Sequence, residues 1–270
     1  MTNDVLIKWI GSKRLQSPYI LPYFPQVIKT YYEVFLGGGF MLYTLMSSDI
    51  SVEKYVCNDL NTELIGIWEL VKNDPEALAA DYEERWNQLG LQDKEYYYNV
   101  RSQFNQDKDP KKFFFLLRTC RNGLVRYNSK GEFNTAFHQK RQGIKPTKMR
   151  EIILHWSGLL KRNNVEFRNG DYREIQSSEG DFVYLDPPYA TPDDFLIYFG
   201  MIDYQALWDW MRKQPAQYAM SLNGYKGEVD CTIPVPSDVF SEHKLIPNGL
   251  SKMDQMVNAR IEARDSLYLK

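Results

Sequence analysis

Short apolar runs of strand length alternate along the chain with longer segments in which apolar residues recur at helical spacing. The short runs predict strands at residues 31–35, 54–58, 165–168, 182–185, 218–221 and 266–269. The helical spacing predicts helices over 40–49, most of 62–104, 113–120, 149–163 and 206–212, and residues 18–29 predict a short helix or turn. Strands alternating with helices predict an α/β fold with a doubly wound, mainly parallel sheet.

The composition is that of an ordered protein without a membrane segment. Of the 270 residues, 43% are hydrophobic and 14% aromatic, enough for a large core. No apolar run approaches the ~18 residues that cross a bilayer, and no signal peptide is visible. The three cysteines and three histidines are scattered, so neither a disulfide framework nor a metal site is expected. We therefore expect a cytoplasmic protein.

The charge is unevenly distributed along the chain. The formal net charge is -2, yet residues 101–150 contain thirteen Lys or Arg and only three Asp or Glu. Aromatic residues and glycines alternate with these basic residues, which is typical of a nucleic-acid-binding surface. The alternative is a solvated surface that aids solubility. Candidate phosphate contacts in this segment are Lys111, Lys112, Arg118, Lys140, Arg141, Lys145 and Lys148.

Two segments carry candidate binding residues where the first two predicted strands end. Residues 35–40 form the glycine-rich run FLGGGF, whose glycines allow a tight turn and close approach to a ligand. The run is not GxGxxG, so it does not indicate a dinucleotide site. Asp59 follows the next strand, where an acidic residue can bind ribose hydroxyls. A helix N-cap is the alternative role for Asp59.

A third segment, Asp186-Pro187-Pro188-Tyr189, follows the buried run FVYL. The two prolines lack N–H donors and restrict the backbone, so carbonyl groups remain exposed at the end of the strand. A carboxylate, a carbonyl and an aromatic face therefore lie together at the same edge of the sheet. This set can accept hydrogens from an amine and stack against a base.

These motifs, in this order, resemble the Dam-type (alpha-group) S-adenosylmethionine-dependent DNA adenine N6-methyltransferases. Val34 stands where the family's EPFxGxG motif usually has proline, and Arg121 precedes NGL where enterobacterial members have an aromatic residue. The matching segments are KWIGSK at 8–13, EVFLGGGF at 33–40, DLN at 59–61, NGLVRYN at 122–128, GEFN at 131–134 and DPPY at 186–189.

The resemblance implies a Rossmann-like catalytic domain that uses S-adenosylmethionine. It assigns cofactor binding to Trp9, Lys13, Phe35, Gly37, Gly39, Asp59, Asp171 and Asp186, and catalysis to Asp186, Pro187 and Tyr189. Asp171 would meet the adenine of the cofactor, and Tyr189 would stack on the flipped target base. We expect residues 1–61 and 150–270 to form the catalytic domain. Residues 62–149 would be an inserted, mostly helical target-recognition domain with a β-hairpin.

The resemblance also implies double-stranded DNA as the partner, and we expect the protein to act as a monomer. Arg126 is the candidate for a bidentate contact to guanine. The expected DNA-binding residues are Arg121, Asn122, Leu124, Arg126, Asn128, Lys140, Arg141 and Lys145. Arg121 and the segment NTAFH at 134–138, where many members have NxPFG, are departures from the family within this basic segment, so the resemblance does not fix GATC as the target sequence.

Other functions remain open at this stage. The DPPY chemistry also suits the N4 amine of cytosine or an amine in RNA, and a catalytically inactive DNA-binding regulator is a further alternative. The lack of GxGxxG and GxxxxGK[ST] argues against a dehydrogenase or a P-loop enzyme.

Overall fold

The computed structural model describes residues 5–138, 143–189, 202–250 and 262–270. Its helices are α1 Ser17–Ile20, α2 Phe40–Met46, α3 Thr62–Asn73, α4 Pro75–Gln92, α5 Lys94–Asp107, α6 Pro110–Thr119, α7 Pro146–Arg162 and α8 Tyr204–Arg212. Its strands are β1 Val27–Glu33, β2 Ser51–Asp59, β3 Val165–Asn169, β4 Phe182–Leu185, β5 Gln217–Lys226, β6 Val229–Asp230, β7 Glu242–Leu250 and β8 Glu262–Leu269. None of the helices within these ranges is both long and apolar enough to span a bilayer.

The strands form one sheet in the order β3-β2-β1-β4-β5-β8-β7, with β6 paired to β5. The pairs from β3 to β5 in this order are parallel, whereas β8 is antiparallel to both β5 and β7. The chain leaves β1 toward β2 on one side, whereas β4 lies on the other side. The order of the strands therefore reverses between β1 and β4, and ligands of such sheets bind at this point.

Both faces of the sheet are covered, as predicted for a doubly wound fold. Successive residues of β4 alternate between two hydrophobic clusters: Phe182 and Tyr184 join one, and Val183 and Leu185 join the other. The first cluster includes residues of α2, α3 and α7, and the second includes the apolar face of α8. A strand buried on both faces lacks polar alternation, which explains the continuous run FVYL.

The predicted elements are confirmed in type, but several strands extend further than predicted. Strand β1 begins at Val27, inside the segment predicted as a short helix or turn, and ends at Glu33. Strand β7 was not predicted. Its sequence EHKLIPNGL shows no regular polar and apolar alternation and contains Pro247, which a central strand disfavours. The strand lies at the edge of the sheet, where a proline is tolerated.

The basic segment packs onto the helical layer. Antiparallel bridges join Cys120 to Phe137 and Tyr127 to Phe133, in agreement with a hairpin in this part of the chain. Helix α3 packs against β2 and β3 as well as α6 and α7. The layer that covers the sheet therefore begins inside the predicted insertion, and the domain division at 61 and 150 stays a prediction.

Candidate active site

The glycine loop after β1 is fixed by close packing. Gly37 and Gly39 have φ angles of 48° and 68°, which side chains disfavour. A Cβ added at Gly39 would lie 2.8 Å from the ring of Trp68, and one at Gly37 would lie 2.9 Å from Trp9. Trp68 also donates from Nε1 to the carbonyl of Gly37 over 3.2 Å. Only glycine fits both positions without displacing a tryptophan.

Asp59 holds this loop from the end of β2. One carboxylate oxygen accepts the N–H of Gly37 at 2.9 Å, and the other accepts the N–H of Asn61 at 2.9 Å. Burial raises the pKa of Asp59, while these backbone donors act in the opposite direction. The N-cap of α3 is Asn61, whose Oδ1 accepts the N–H of Leu64 at 2.7 Å. The alternative role of Asp59 as that N-cap is therefore wrong.

Asp186 lies at the end of β4, where its half-buried carboxylate pairs with a buried lysine. Its Oδ1 is 2.7 Å from Nζ of Lys13, which comes from the N-terminal segment. The same ammonium lies 4.7 Å from the ring centroid of Tyr189. Burial raises the pKa of Asp186, and the charge and hydrogen bond of Lys13 counteract that effect. The pair thus places a counter-charge beside a carboxylate that burial would otherwise favour in its neutral form.

Asn58 ties together the loops after β1 and β3, a role that sequence reasoning missed. Its buried amide donates to the carbonyl of Val34 at 3.2 Å and to that of Gly170 at 2.9 Å. It stands within the NDLN segment, but which carbonyls it reaches depends on strands far apart in sequence.

These loops surround a cavity of about 510 Å³. Every residue predicted to bind the cofactor or catalyse the reaction lines it: Trp9, Lys13, Phe35, Gly37, Gly39, Asp59, Asp171, Asp186, Pro187 and Tyr189. The cavity is further lined by Glu33, Val125 and Tyr127, which were not predicted. Val125 and Tyr127 belong to the basic segment, so this segment reaches the cavity itself.

Asp171 also lines the cavity, but its carboxylate is paired with an arginine, whereas that of Asp59 accepts from backbone N–H groups. Its carboxylate accepts Nε and Nη2 of Arg173 at 2.9 and 2.7 Å, together with the backbone N–H of Arg173. The hydrogen bonds from Arg173 lower the pKa of Asp171. Oδ2 accepts only one of these hydrogen bonds, so it keeps a lone pair for a ligand at this end of the cavity.

The predicted DNA-binding residues of the hairpin differ in exposure. Arg121, Asn122 and Arg126 are exposed, and Leu124 is half-buried. Asn128 shapes the turn: its Oδ1 accepts the backbone N–H groups of residues 130 and 132. Lys145 is exposed just before α7, whereas Lys140 and Arg141 lie outside the described residues.

Arg118 is not a phosphate contact, contrary to the expectation from the basic segment. It is 2% exposed, and its Nη1 donates to the carbonyls of Val5 and Leu6 at 3.1 and 3.4 Å. Desolvation lowers the pKa of Arg118 to about 10. The residue anchors the N-terminal segment that carries Trp9 and Lys13.

Comparison with known proteins places this site in a family. Residues 9–206 match the model of the D12 class N6 adenine-specific DNA methyltransferases. The chain belongs to this family. It is 34% identical over 203 residues to the type II methyltransferase M.MjaIII of Methanocaldococcus jannaschii, covering 68% of each protein.

Two other relatives are also named as a type II methyltransferase and a DNA adenine methylase. The type II methyltransferase M1.LlaDCHI of Lactococcus lactis subsp. cremoris is 32% identical over 192 residues, which span 67% of this chain and 64% of that protein. The DNA adenine methylase of Vibrio cholerae is 29% identical over 229 residues, or 80% of this chain and 78% of the relative. The D12 family match covers both the glycine loop and the DPPY segment, and it ends within α8.

Proposed function

We propose that this D12 family member transfers a methyl group from S-adenosylmethionine to the N6 amine of adenine in double-stranded DNA. The observation that carries the proposal is the placement of Asp186. Its carboxylate lies beside Lys13 at the end of β4, and the adjacent strand β1 ends in the glycine loop. The binding loop and the amine acceptor thus lie on the two sides of one cavity.

The residues of the cavity fit S-adenosylmethionine. The bound cofactor supplies an electrophilic methyl group on a positively charged sulfur. The carboxylates of Asp59, Asp171 and Asp186 line the cavity, and negative groups favour a cationic ligand. Asp59 uses one lone pair of each oxygen for the loop, and the second lone pairs can accept ribose hydroxyls. Trp9 packs against Gly37 and Gly38 and closes the wall beside them.

Asp186 and Pro187 suit the chemistry of an exocyclic amine. The lone pair of N6 is conjugated with the ring, so the nitrogen attacks only when its hydrogens are held by acceptors. The carboxylate of Asp186 and the carbonyl of Pro187 can supply two such acceptors. As the C–N bond forms and the C–S bond breaks, N6 gains positive charge and the sulfur becomes neutral. Asp186 or a water molecule then accepts the proton that N6 releases.

Tyr189 provides a face for the target base. An adenine inside a duplex cannot reach the cavity, so it must leave the base stack first. Stacking on an aromatic ring is worth ~1–3 kcal/mol per base. The ammonium of Lys13 lies near the Tyr189 ring, and the base would occupy the remaining ring surface.

The exposed basic residues would hold the duplex. Arg126 would contact a guanine base. The other residues of the same hairpin that would contact DNA are Arg121, Asn122, Leu124 and Asn128. Lys145, with Lys140 and Arg141, would contact phosphates, which position the protein without specifying sequence. We further propose that the protein acts as a monomer in the cytoplasm.

A labelling experiment tests the proposed function. The purified protein is incubated with methyl-labelled S-adenosylmethionine and random-sequence duplex DNA, and the modified nucleoside is identified. We expect N6-methyladenine, and loss of at least about 100-fold of the activity in Asp186→Asn. Glu179→Gln, an exposed carboxylate before the opposite end of β4, is the matched control and should keep full activity. Methylated cytosine, or retained activity in Asp186→Asn, would refute the assignment.

A further inference from the structure

Besides Asp186, Lys13 faces a second carboxylate, which is buried. Its Nζ lies 4.0 Å from Oδ2 of Asp265, on the side of the C-terminal strand β8. Asp265 is only 7% exposed. It lies beyond residues 9–206, the segment that the family match covers. The ammonium that touches the amine acceptor is therefore shared between two carboxylates.

Two neutral side chains hold Asp265 in place. Asn248 on β7 donates from Nδ2 to Oδ1 of Asp265 at 2.8 Å. Gln16 donates to Oδ2 at 3.3 Å and also hydrogen-bonds with Oδ1 of Asn248. A buried carboxylate is costly unless donors and a counter-charge surround it. Asp265 has both, in an arrangement drawn from the N-terminal segment and two strands at the far side of the sheet.

We propose that Asp265 is a positioning residue for methyl transfer, which holds Lys13 between two carboxylates and leaves this group with a net charge of minus one. The inference rests on the proposed function and adds a residue to it. With Asp186 alone, the Lys13 ammonium would neutralise the acceptor. With Asp265 present, one negative charge remains uncompensated near the amine.

The excess negative charge stabilises the transition state of methyl transfer, in which N6 becomes positively charged. Positive charge passes to N6 as the C–N bond forms, and N6 is held at Asp186. A fixed negative charge behind the ion pair stabilises that charge without contacting the substrate. At a separation of roughly 10 Å, removing one such charge corresponds to about a tenfold loss of rate.

The pH dependence of the rate distinguishes this role of Asp265 from a purely structural one, because the two roles shift the acid limb in opposite directions. The groups that face Asp186 are Lys13, Asp265, Glu33, Tyr184 and Tyr189. The negative charge of Asp265 raises the pKa of Asp186. Neutralising Asp265 should therefore lower the pKa of Asp186 and move the acid limb of the rate to lower pH. Loss of structure would instead loosen Lys13 and move the acid limb to higher pH.

The test compares Asp265→Asn with wild type and with Glu262→Gln, an exposed carboxylate on the same strand. Single-turnover methylation of a mapped duplex site is measured from pH 5 to 9, together with the Kd for DNA and for S-adenosylhomocysteine. We expect Asp265→Asn to react about tenfold more slowly, with both Kd values within about twofold. The midpoint of its acid limb should shift to lower pH by about 0.5–1 unit. Glu262→Gln should match wild type in every measurement.

A second variant, Asp265→Ser, guards against misfolding because its side chain is smaller and remains polar. It should show the same slower rate and the same direction of pH shift. An unchanged rate, an acid limb that moves upward, or failure of both variants to fold cooperatively would overturn the inference. If wild type itself methylates no adenine, the proposed function fails. If wild type is active and Asp265→Asn equals it, only the role of Asp265 fails.

Discussion

Glu33 at the end of β1 should make the stability of this protein fall as pH rises. The side chain is 3% exposed, and Oε2 accepts the hydroxyl of Tyr31 at 2.8 Å. Burial raises the pKa of Glu33 from 4.5 to about 8, and the hydrogen bond from Tyr31 only partly opposes this effect. The negative charge of Asp186 raises the pKa further. Glu33 is therefore protonated in the folded protein at neutral pH.

The size of the effect follows from proton linkage. Between its unfolded pKa of 4.5 and its folded pKa of about 8, Glu33 binds a proton in the folded chain and releases it on unfolding. Stability from this group is fully present below the lower value and is lost as pH rises toward the upper one. The slope is about 1.4 kcal/mol per pH unit. Raising the pH from 5 to 7 should thus lower the free energy of unfolding by roughly 2–3 kcal/mol through Glu33 alone.

Glu33→Gln isolates this contribution because the amide is neutral at every pH and can still accept from Tyr31. Urea denaturation of both proteins is measured at pH 5, 6, 7 and 8, and the two free energies are subtracted at each pH. Subtraction removes the groups that titrate identically in both proteins. The free energy of unfolding of the variant should increase relative to that of wild type by about 1 kcal/mol or more per pH unit up to pH 7. A difference that stays constant within about 0.5 kcal/mol from pH 5 to 7 would show that Glu33 is not held protonated.

Three further predictions address the glycine loop, the cofactor site and the hairpin. Gly39→Ala, at φ 68° against Trp68, should lose about 1–2 kcal/mol of stability in urea denaturation, and an unchanged midpoint would contradict the packing argument. Asp59→Ala should bind S-adenosylhomocysteine about tenfold or more weakly by calorimetry; equal affinity would remove Asp59 from the site. Arg126→Ala should lose ~1–3 kcal/mol of discrimination at one guanine, whereas Lys145→Ala should weaken all sequences alike and reduce the salt slope by about one. Titrations at several salt concentrations would refute this division if both variants behaved the same way.

The parts of the site that sequence alone could predict are those encoded by contiguous residues. The glycine run and the DPPY segment each combine a strand end with the chemistry that follows it, so their position at one edge of the sheet followed from parallel strand order. Asp265 carries no such local signal, and the motif that begins at Glu33 does not show that this carboxyl group is buried against Tyr31. Their roles depend on burial and on Lys13 or Tyr31, which the sheet brings near. Only the folded chain shows that Lys13 lies between two carboxylates.

Charge patterning predicted a basic surface but not which basic residues face solvent. Arg118 lies in the same run as exposed residues, yet its helix turns it into the core toward Val5 and Leu6. The strand β7 escaped prediction for a related reason, since an edge strand needs only one pairing partner and tolerates Pro247. In both cases the local sequence is compatible with several environments, and tertiary packing selects one.

The presence of Val125 and Tyr127 in the cavity wall has a thermodynamic consequence. These residues belong to the hairpin that carries Arg126, so a ligand that fills this end of the cavity would contact the hairpin as well. Binding equilibria that share such an element are reciprocal. Any factor by which the occupied cavity raises affinity for DNA must equal the factor by which DNA raises affinity for the occupant, and the two titrations can be checked against each other.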